Sequence, residues 1–233
     1  MTKNWKYIAL MAAAFPASAA FAQTGDAGRK AIDLERYEEA KSIYKSQLSN
    51  SKTADNAYFA LGDIYLRTEK LDSAAYYFNQ GIANNKKSYI NHVGLGKIAM
   101  EQGNQAKAEQ HFNDALSGKG KKDAYVLAMI GEAYVNAPNA TEAQINKGIE
   151  YLKQSLERDN KQAVANVILG DAYLALKKGG EAMTSYDRAI QLDENYATAY
   201  LKRGQLYTSS RNYPEAEQAY QKAIEIDPNF APA

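Results

Sequence analysis

Apolar side chains recur at three- and four-residue steps through the middle of the chain. Ala57, Leu61, Ile64, Tyr65 and Leu66 mark one such run, residues 68–70 break it, and Leu71, Ala74, Ala75, Phe78 and Ile82 mark the next. This is the period of one helix face. The pattern predicts two helices, over 57–68 and 71–83, joined by a short turn into an antiparallel hairpin.

The hairpin is repeated. Gly28, Gly62, Gly96, Gly131, Gly170 and Gly204 are spaced 34, 34, 35, 39 and 34 residues apart. A second small residue follows at a near-constant offset: Ala40, Ala74, Ala108, Gly148, Ala182 and Ala216. Four residues on comes a ring or a leucine: Tyr44, Phe78, Phe112, Leu152, Tyr186 and Tyr220. Small residues let two helix axes approach to about 8 Å, and the large side chain fills the groove beside that contact. A single hairpin cannot bury its outer apolar faces, so it needs neighbours above and below. The fold expected is all-α, with units of about 24–54, 55–88, 89–122, 123–161, 162–196 and 197–230. The fourth carries five extra residues within 136–147, where Pro138 should end one helix and Thr141 cap the next.

These residues resemble the tetratricopeptide repeat family. Unit two matches its pattern through Tyr58, Leu61, Gly62, Tyr65, Ala74, Phe78 and Gly81, and unit six through Tyr200, Gly204, Tyr207, Ala216, Tyr220, Ala223 and Pro228. The resemblance implies a right-handed α-solenoid of about six helix-turn-helix hairpins. It explains many of the 18 tyrosines as core packing, with Tyr65, Tyr134, Tyr173 and Tyr207 at one repeat position. Departures are Arg203 for the expected Leu, Ala99 for the Tyr, and a first unit that keeps only Gly28, Ala40 and Tyr44. That unit is expected to face water, as terminal repeats do.

Residues 1–22 read as a secretory signal peptide: Lys3 and Lys6, an uncharged stretch from Tyr7 to Phe15, Pro16, and small residues before a cut after Ala22. The stretch is far shorter than the roughly 18–20 residues needed to span a bilayer, so the mature chain is expected to have no membrane span and to be periplasmic or secreted. The whole chain has 28 basic and 27 acidic residues. Near-neutrality gives no long-range pull toward nucleic acid. Cysteine is absent, which excludes disulfides, thiolate metal sites and cysteine nucleophiles.

Candidate chemistry is sparse. Gly94-Leu95-Gly96-Lys97-Ile98-Ala99 fits a dinucleotide fingerprint, but Gly96 is the repeat glycine inside a predicted helix, where the strand and tight turn of that motif are missing. There is no G-x-S-x-G elbow. The two histidines are His92, at a position usually held by a core ring, and His111, expected on the outward side of its helix. No acidic residue is expected to complete a ligand triad with either. No catalytic constellation, cofactor or metal is expected.

What remains is the concave wall that the resemblance assigns to the first helix of each unit. Three of the family's wall-facing positions give Asn56, Ile90, Tyr125, Val164 and Thr198; Phe59, Val93, Ala128, Val167 and Leu201; and Asp63, Lys97, Glu132, Asp171 and Gln205. They form an apolar stripe flanked by mostly acidic charge. Such a wall suits a peptide with apolar anchors and some basic residues, and not the acidic C-termini that some family members clamp. The expected function is a non-catalytic scaffold or adaptor of the bacterial envelope that binds a protein or peptide segment. Alternatives are the targeting part of a longer enzyme or envelope machine, or a cell-wall-binding module. The last hairpin has no polar cap, so a continuing chain, a partner or a second copy is expected to cover its apolar face.

Overall fold

Each unit folds as two antiparallel helices because its second helix lays a large side chain on the glycine of its first. A Cβ on Gly62 would lie 2.3 Å from the Phe78 ring, one on Gly170 2.3 Å from Tyr186, and one on Gly204 2.6 Å from Tyr220. Gly28 stands in the same relation to Tyr44, Gly96 to Phe112 and Gly131 to Leu152. The spacing that marks the repeat in sequence is therefore a set of close helix–helix contacts.

The computed structural model describes residues 27–228, so the leader read from residues 1–22 lies outside the described residues. Twelve α-helices run through them: α1 (Ala27–Asp33), α2 (Tyr37–Gln47), α3 (Ala54–Arg67), α4 (Leu71–Asn84), α5 (Tyr89–Glu101), α6 (Gln105–Ala115), α7 (Ala124–Val135), α8 (Glu142–Arg158), α9 (Ala163–Ala175), α10 (Gly179–Leu192), α11 (Ala197–Ser209) and α12 (Tyr213–Ile226). One 3₁₀ turn, Gly120–Lys122, precedes α7, and no strand occurs among the described residues. The architecture is the all-α solenoid of stacked hairpins. Most hairpins pack on the next through the second helix, as α4 does on α5 and α8 on α9; the third meets the fourth chiefly through α5 on α7, and α3, α5, α7 and α9 pack in sequence along one side. No described helix is long and apolar enough to cross a membrane.

The turns are as regular as the helices. Glu35, Glu69, Gly103, Lys177 and Arg211 each follow a first helix with φ between 57° and 69°. The next residue closes the turn with a backbone bond five residues back, as Lys70 N does to Tyr65 O at 2.9 Å and Lys178 N to Tyr173 O at 2.8 Å. This is the Schellman arrangement, which satisfies the helix's terminal carbonyls. Between hairpins, Asn50, Asn85, Asp159 and Asp193 each accept a bond from the backbone N–H two residues on. Such Asx turns hold the chain extended between one hairpin and the next.

In the fourth unit α7 ends at Val135, before Pro138. Thr141 caps α8 reciprocally with Gln144: Gln144 N donates to Thr141 Oγ1 at 3.3 Å, and Thr141 N donates to Gln144 Oε1 at 2.9 Å. The extra length is divided between a six-residue connection, 136–141, and a 17-residue α8.

Two expectations about the ends need correction. The first unit does not simply face water. Leu34 packs against Ala197, Tyr200, Leu201 and Ala223 of the last unit. Part of the apolar surface expected to be bare there is thus covered from within the chain. Arg36 donates to Asp227 Oδ1 at 2.9 Å, and the Lys30 ammonium lies 3.7 Å from the same carboxylate.

Candidate functional site

The repeat register brings residues 63, 97 and 132 to one wall of the stack, since they hold the same position in units two, three and four. There they form a closed ring of charge with Arg67, one helical turn beyond Asp63. Lys97 Nζ donates to Asp63 in a short contact and to Glu132 Oε2 at 3.1 Å. Arg67 Nε donates to Asp63 Oδ2 at 2.8 Å, and its terminal nitrogen to Glu132 Oε1 at 3.4 Å. The side chains of Asp63 and Glu132 are only 4% and 6% exposed. Burial alone would raise both carboxyls, but Lys97 and Arg67 hold them below their ordinary range. Burial would likewise lower the Lys97 ammonium; Asp63 and Glu132 outweigh it and hold it high.

The short helix α1 lies on the same concave side. Its Arg29 pairs with Asp33 at 3.0 Å, one turn apart. Burial raises the Asp33 carboxyl against the pull of Arg29 and Arg67. Between α1 and the first helices of units five and six lies a cavity of about 390 Å³. Val164, Val167, Ile168 and Leu201 give it an apolar wall, and Thr198 and Gln205 lie on its lining. Also on the lining, Asp171 pairs with Lys202 at 3.0 Å and accepts a bond from the Tyr186 hydroxyl at 2.7 Å.

The wall residues named from the sequence therefore separate into three groups. Glu132, Val164, Val167, Asp171, Thr198, Leu201 and Gln205 line the main cavity. Asn56, Ile90 and Tyr125 line a smaller one of about 80 Å³. Phe59, Asp63, Val93, Lys97 and Ala128 line neither; Phe59, Val93 and Ala128 are buried, and the Phe59 ring meets Phe78 and Tyr125 with centroids 5.8 and 6.1 Å away. Several lining residues were missed: Arg29, Ile32, Asp33, Arg67 and Asn136. The sequence did hold a signal for them. They occupy the ninth, twelfth and thirteenth repeat positions, so applying all of the family's wall-facing positions to every unit, the first included, finds them.

The reading of the histidines also needs correction. His111 does not point outward; it is half-buried, with its ring centroid 6.3 Å from that of His92. Asp114 completes a group of three whose ligand atoms lie within 4.8 Å of one another. The acid was overlooked because its partner imidazole lies across the hairpin, on α5.

Comparison with known structures supports the fold. The chain resembles the crystal structure of MamA at 19% identity and a TM-score of 0.51, covering 74% of this chain and 98% of that one. It resembles a structure from the functional characterization of Pseudomonas aeruginosa pilF at 20% identity and a TM-score of 0.56, covering 75% and 77%. A monomeric IFIT1 mutant with Gppp-AAAA aligns at 18% identity and a TM-score of 0.64, covering 81% of this chain and 46% of that one. Comparison with curated proteins returns no match. Family models match residues 26–89 (Tetratricopeptide repeat), 170–210 (TPR repeat) and 197–230 (Tetratricopeptide repeat), together more than half of the sequence. With a glycine under a large side chain in each of six hairpins, a ring in five and Leu152 in the fourth, and these matches at both ends, the chain belongs to the tetratricopeptide repeat family.

Proposed function

We propose that the chain is a non-catalytic protein-interaction module of the bacterial envelope, exported by the leader in residues 1–22, and that a short peptide segment of its partner seats in the concave cavity. The observation that carries this is the cavity itself. Its volume of about 390 Å³ lies within the range of small-ligand sites, about 300–1,000 Å³. That is room for one or two anchoring side chains rather than a folded domain.

The lining chemistry selects the peptide. Val164, Val167 and Leu201 accept an apolar anchor. Four carboxylates, Asp33, Glu35, Glu132 and Asp171, stand against three cations, Arg29, Arg67 and Lys202. Each of those cations is already paired with a carboxylate. Asp33, Glu132 and Asp171 are engaged in the same pairs, so the acidic excess of the lining is that of Glu35, and it favours a basic residue beside the anchor. This agrees with the acidic bias of the wall in the sequence.

The test is a fluorescence-anisotropy screen of synthetic peptides that pair Leu, Phe or Ile with Lys or Arg. Thr198, half-buried on the cavity lining, is the residue to change. Thr198→Trp fills the space, and we expect at least a tenfold loss of affinity at an unchanged melting temperature. Binding that survives this substitution, or no binding by any such peptide, overturns the proposal.

A further inference from the structure

The chain has two histidines in 233 residues, and they stand side by side. A buried residue touches about 6–12 others, so two placed at random in a chain this long would meet only about once in twenty-five times. His92 projects from α5; His111 and Asp114 lie three residues apart on α6, hence on one face. The donor atoms of all three fall within 4.8 Å of one another, and His92 Nδ1 is 3.9 Å from Asp114 Oδ2.

The second observation concerns what the imidazoles lack. His92 Nδ1 and His111 Nδ1 are both shielded from solvent, and neither has a hydrogen-bond partner. A buried nitrogen without a partner is costly and is rare in native structures. The separation of His92 Nδ1 from Asp114 is beyond hydrogen-bond range. Two such nitrogens, on imidazoles grouped with one carboxylate, form a donor set in want of an electrophile.

We propose that His92, His111 and Asp114 bind a divalent transition-metal ion of the zinc, nickel and copper(II) class, joining the two helices of the third hairpin. Two imidazoles and a carboxylate are borderline ligands. They suit these ions and discriminate against magnesium and calcium, which take all-oxygen shells. The chain has no thiolate to compete. Three protein ligands leave a fourth position for water. Donors around a tetrahedral ion at about 2.0–2.2 Å sit roughly 3.3–3.5 Å apart, so the group must draw in by an ångström or so. Asp114 is free to do this, its side chain being 51% exposed. It is also the penultimate residue of α6, where the negative end of the helix dipole favours a cation. None of the three lines the peptide cavity, so the site stands apart from that reading.

The experiment is isothermal titration of the full chain, without a histidine tag, with zinc chloride in a non-chelating buffer. We expect one zinc per chain, no heat from magnesium chloride, and a loss of affinity of at least tenfold in His111→Gln and in Asp114→Asn. His92→Gln/His111→Gln removes every imidazole in the sequence and should abolish the binding. Should the double variant fail to fold, imidazole NMR of the unaltered chain decides. Two side chains give two sets of resonances, and both should shift together on adding zinc and stay in place with magnesium. Zinc uptake that persists in a folded double variant, or resonances unmoved by millimolar zinc, overturns the proposal.

Discussion

Single residues carry the repeat through contact distance. Gly170 is the clearest case, because the ring it accommodates cannot yield. Tyr186 is 0% exposed, and its hydroxyl is tied to Asp171 at 2.7 Å. A methyl group at residue 170 would lie 2.3 Å from that ring. Gly180, on the first turn of α10, has nothing within 4 Å of its would-be Cβ. Gly170→Ala is therefore expected to destabilise by about 1–3 kcal/mol through overpacking. Gly180→Ala should stabilise by up to about 1 kcal/mol, by removing glycine's freedom in the unfolded chain and raising helix propensity. Urea denaturation midpoints of the two variants should move in opposite directions; a shared direction would remove the contact argument. The same logic accounts for Gly81 and for one departure from the family pattern. Gly81 leaves space for the fully buried Asn91, whose amide donates to Asp55 O at 2.9 Å and Ser88 Oγ at 2.7 Å. Arg203, where the family has Leu, lies over the Tyr200 ring at 5.3 Å and reaches Asp187 at 3.2 Å.

At the scale of helices, the stack is joined by charge as well as by apolar contact. Lys97 on α5 bridges Asp63 on α3 and Glu132 on α7. Lys97→Met would leave two carboxylates buried with only Arg67 between them, and is expected to cost about 3–5 kcal/mol. The pH dependence follows from the direction of the shifts. Asp63 and Glu132 are held below the ordinary carboxylate values of 3.8 and 4.5. Their contribution is thus complete above those values and is lost as pH falls through the lower, folded-state ones. Asp33, raised chiefly by its burial, contributes with the opposite sign, so the network is isolated by comparison with a variant. Thermal melts from pH 7 to pH 2 should fall less steeply in Asp63→Asn/Lys97→Met than in the unaltered chain. Equal slopes would mean that the ring of charge adds nothing. Much of this level was legible beforehand. The helices expected over 57–68 and 71–83 are α3 and α4, and the single-position register of 63, 97 and 132 already placed them on one wall. Their mutual pairing was not legible, because a repeat position fixes the side of a helix and not the reach of a side chain. The His92–His111–Asp114 group escaped for a related reason: two members share a helix face, but the third belongs to the helix packed against it.

For the whole molecule, repeat spacing specifies only neighbour-to-neighbour contacts. Curvature accumulates from small rotations between hairpins, and nothing in the six-fold pattern states that the first unit will meet the last. Among the described residues, one apolar side chain and one carboxylate stand at this meeting. Leu34, 4% exposed, enters the cluster of Ala197, Tyr200, Leu201 and Ala223, and Asp227 receives Arg36 and Lys30. The cavity depends on this closure, since Ile32, Asp33, Glu35 and Tyr37 line it beside residues of units five and six. Leu34→Ala removes apolar packing worth roughly 2–5 kcal/mol at a well-buried site; Leu34→Glu adds a charge that the cluster cannot solvate. Both hold α1 only from its end, so the other hairpins should keep their helices. We expect Leu34→Glu to leave far-ultraviolet circular dichroism nearly unchanged, to increase the radius of gyration in small-angle X-ray scattering, and to weaken peptides that need the α1 side of the cavity. If the radius stays constant while stability drops, Leu34 serves only its own hairpin, and the ends are held together by the salt links to Asp227. Arg36→Ala then distinguishes the two, because a closure held by charge opens in that variant and also at high salt, whereas one held by Leu34 does neither.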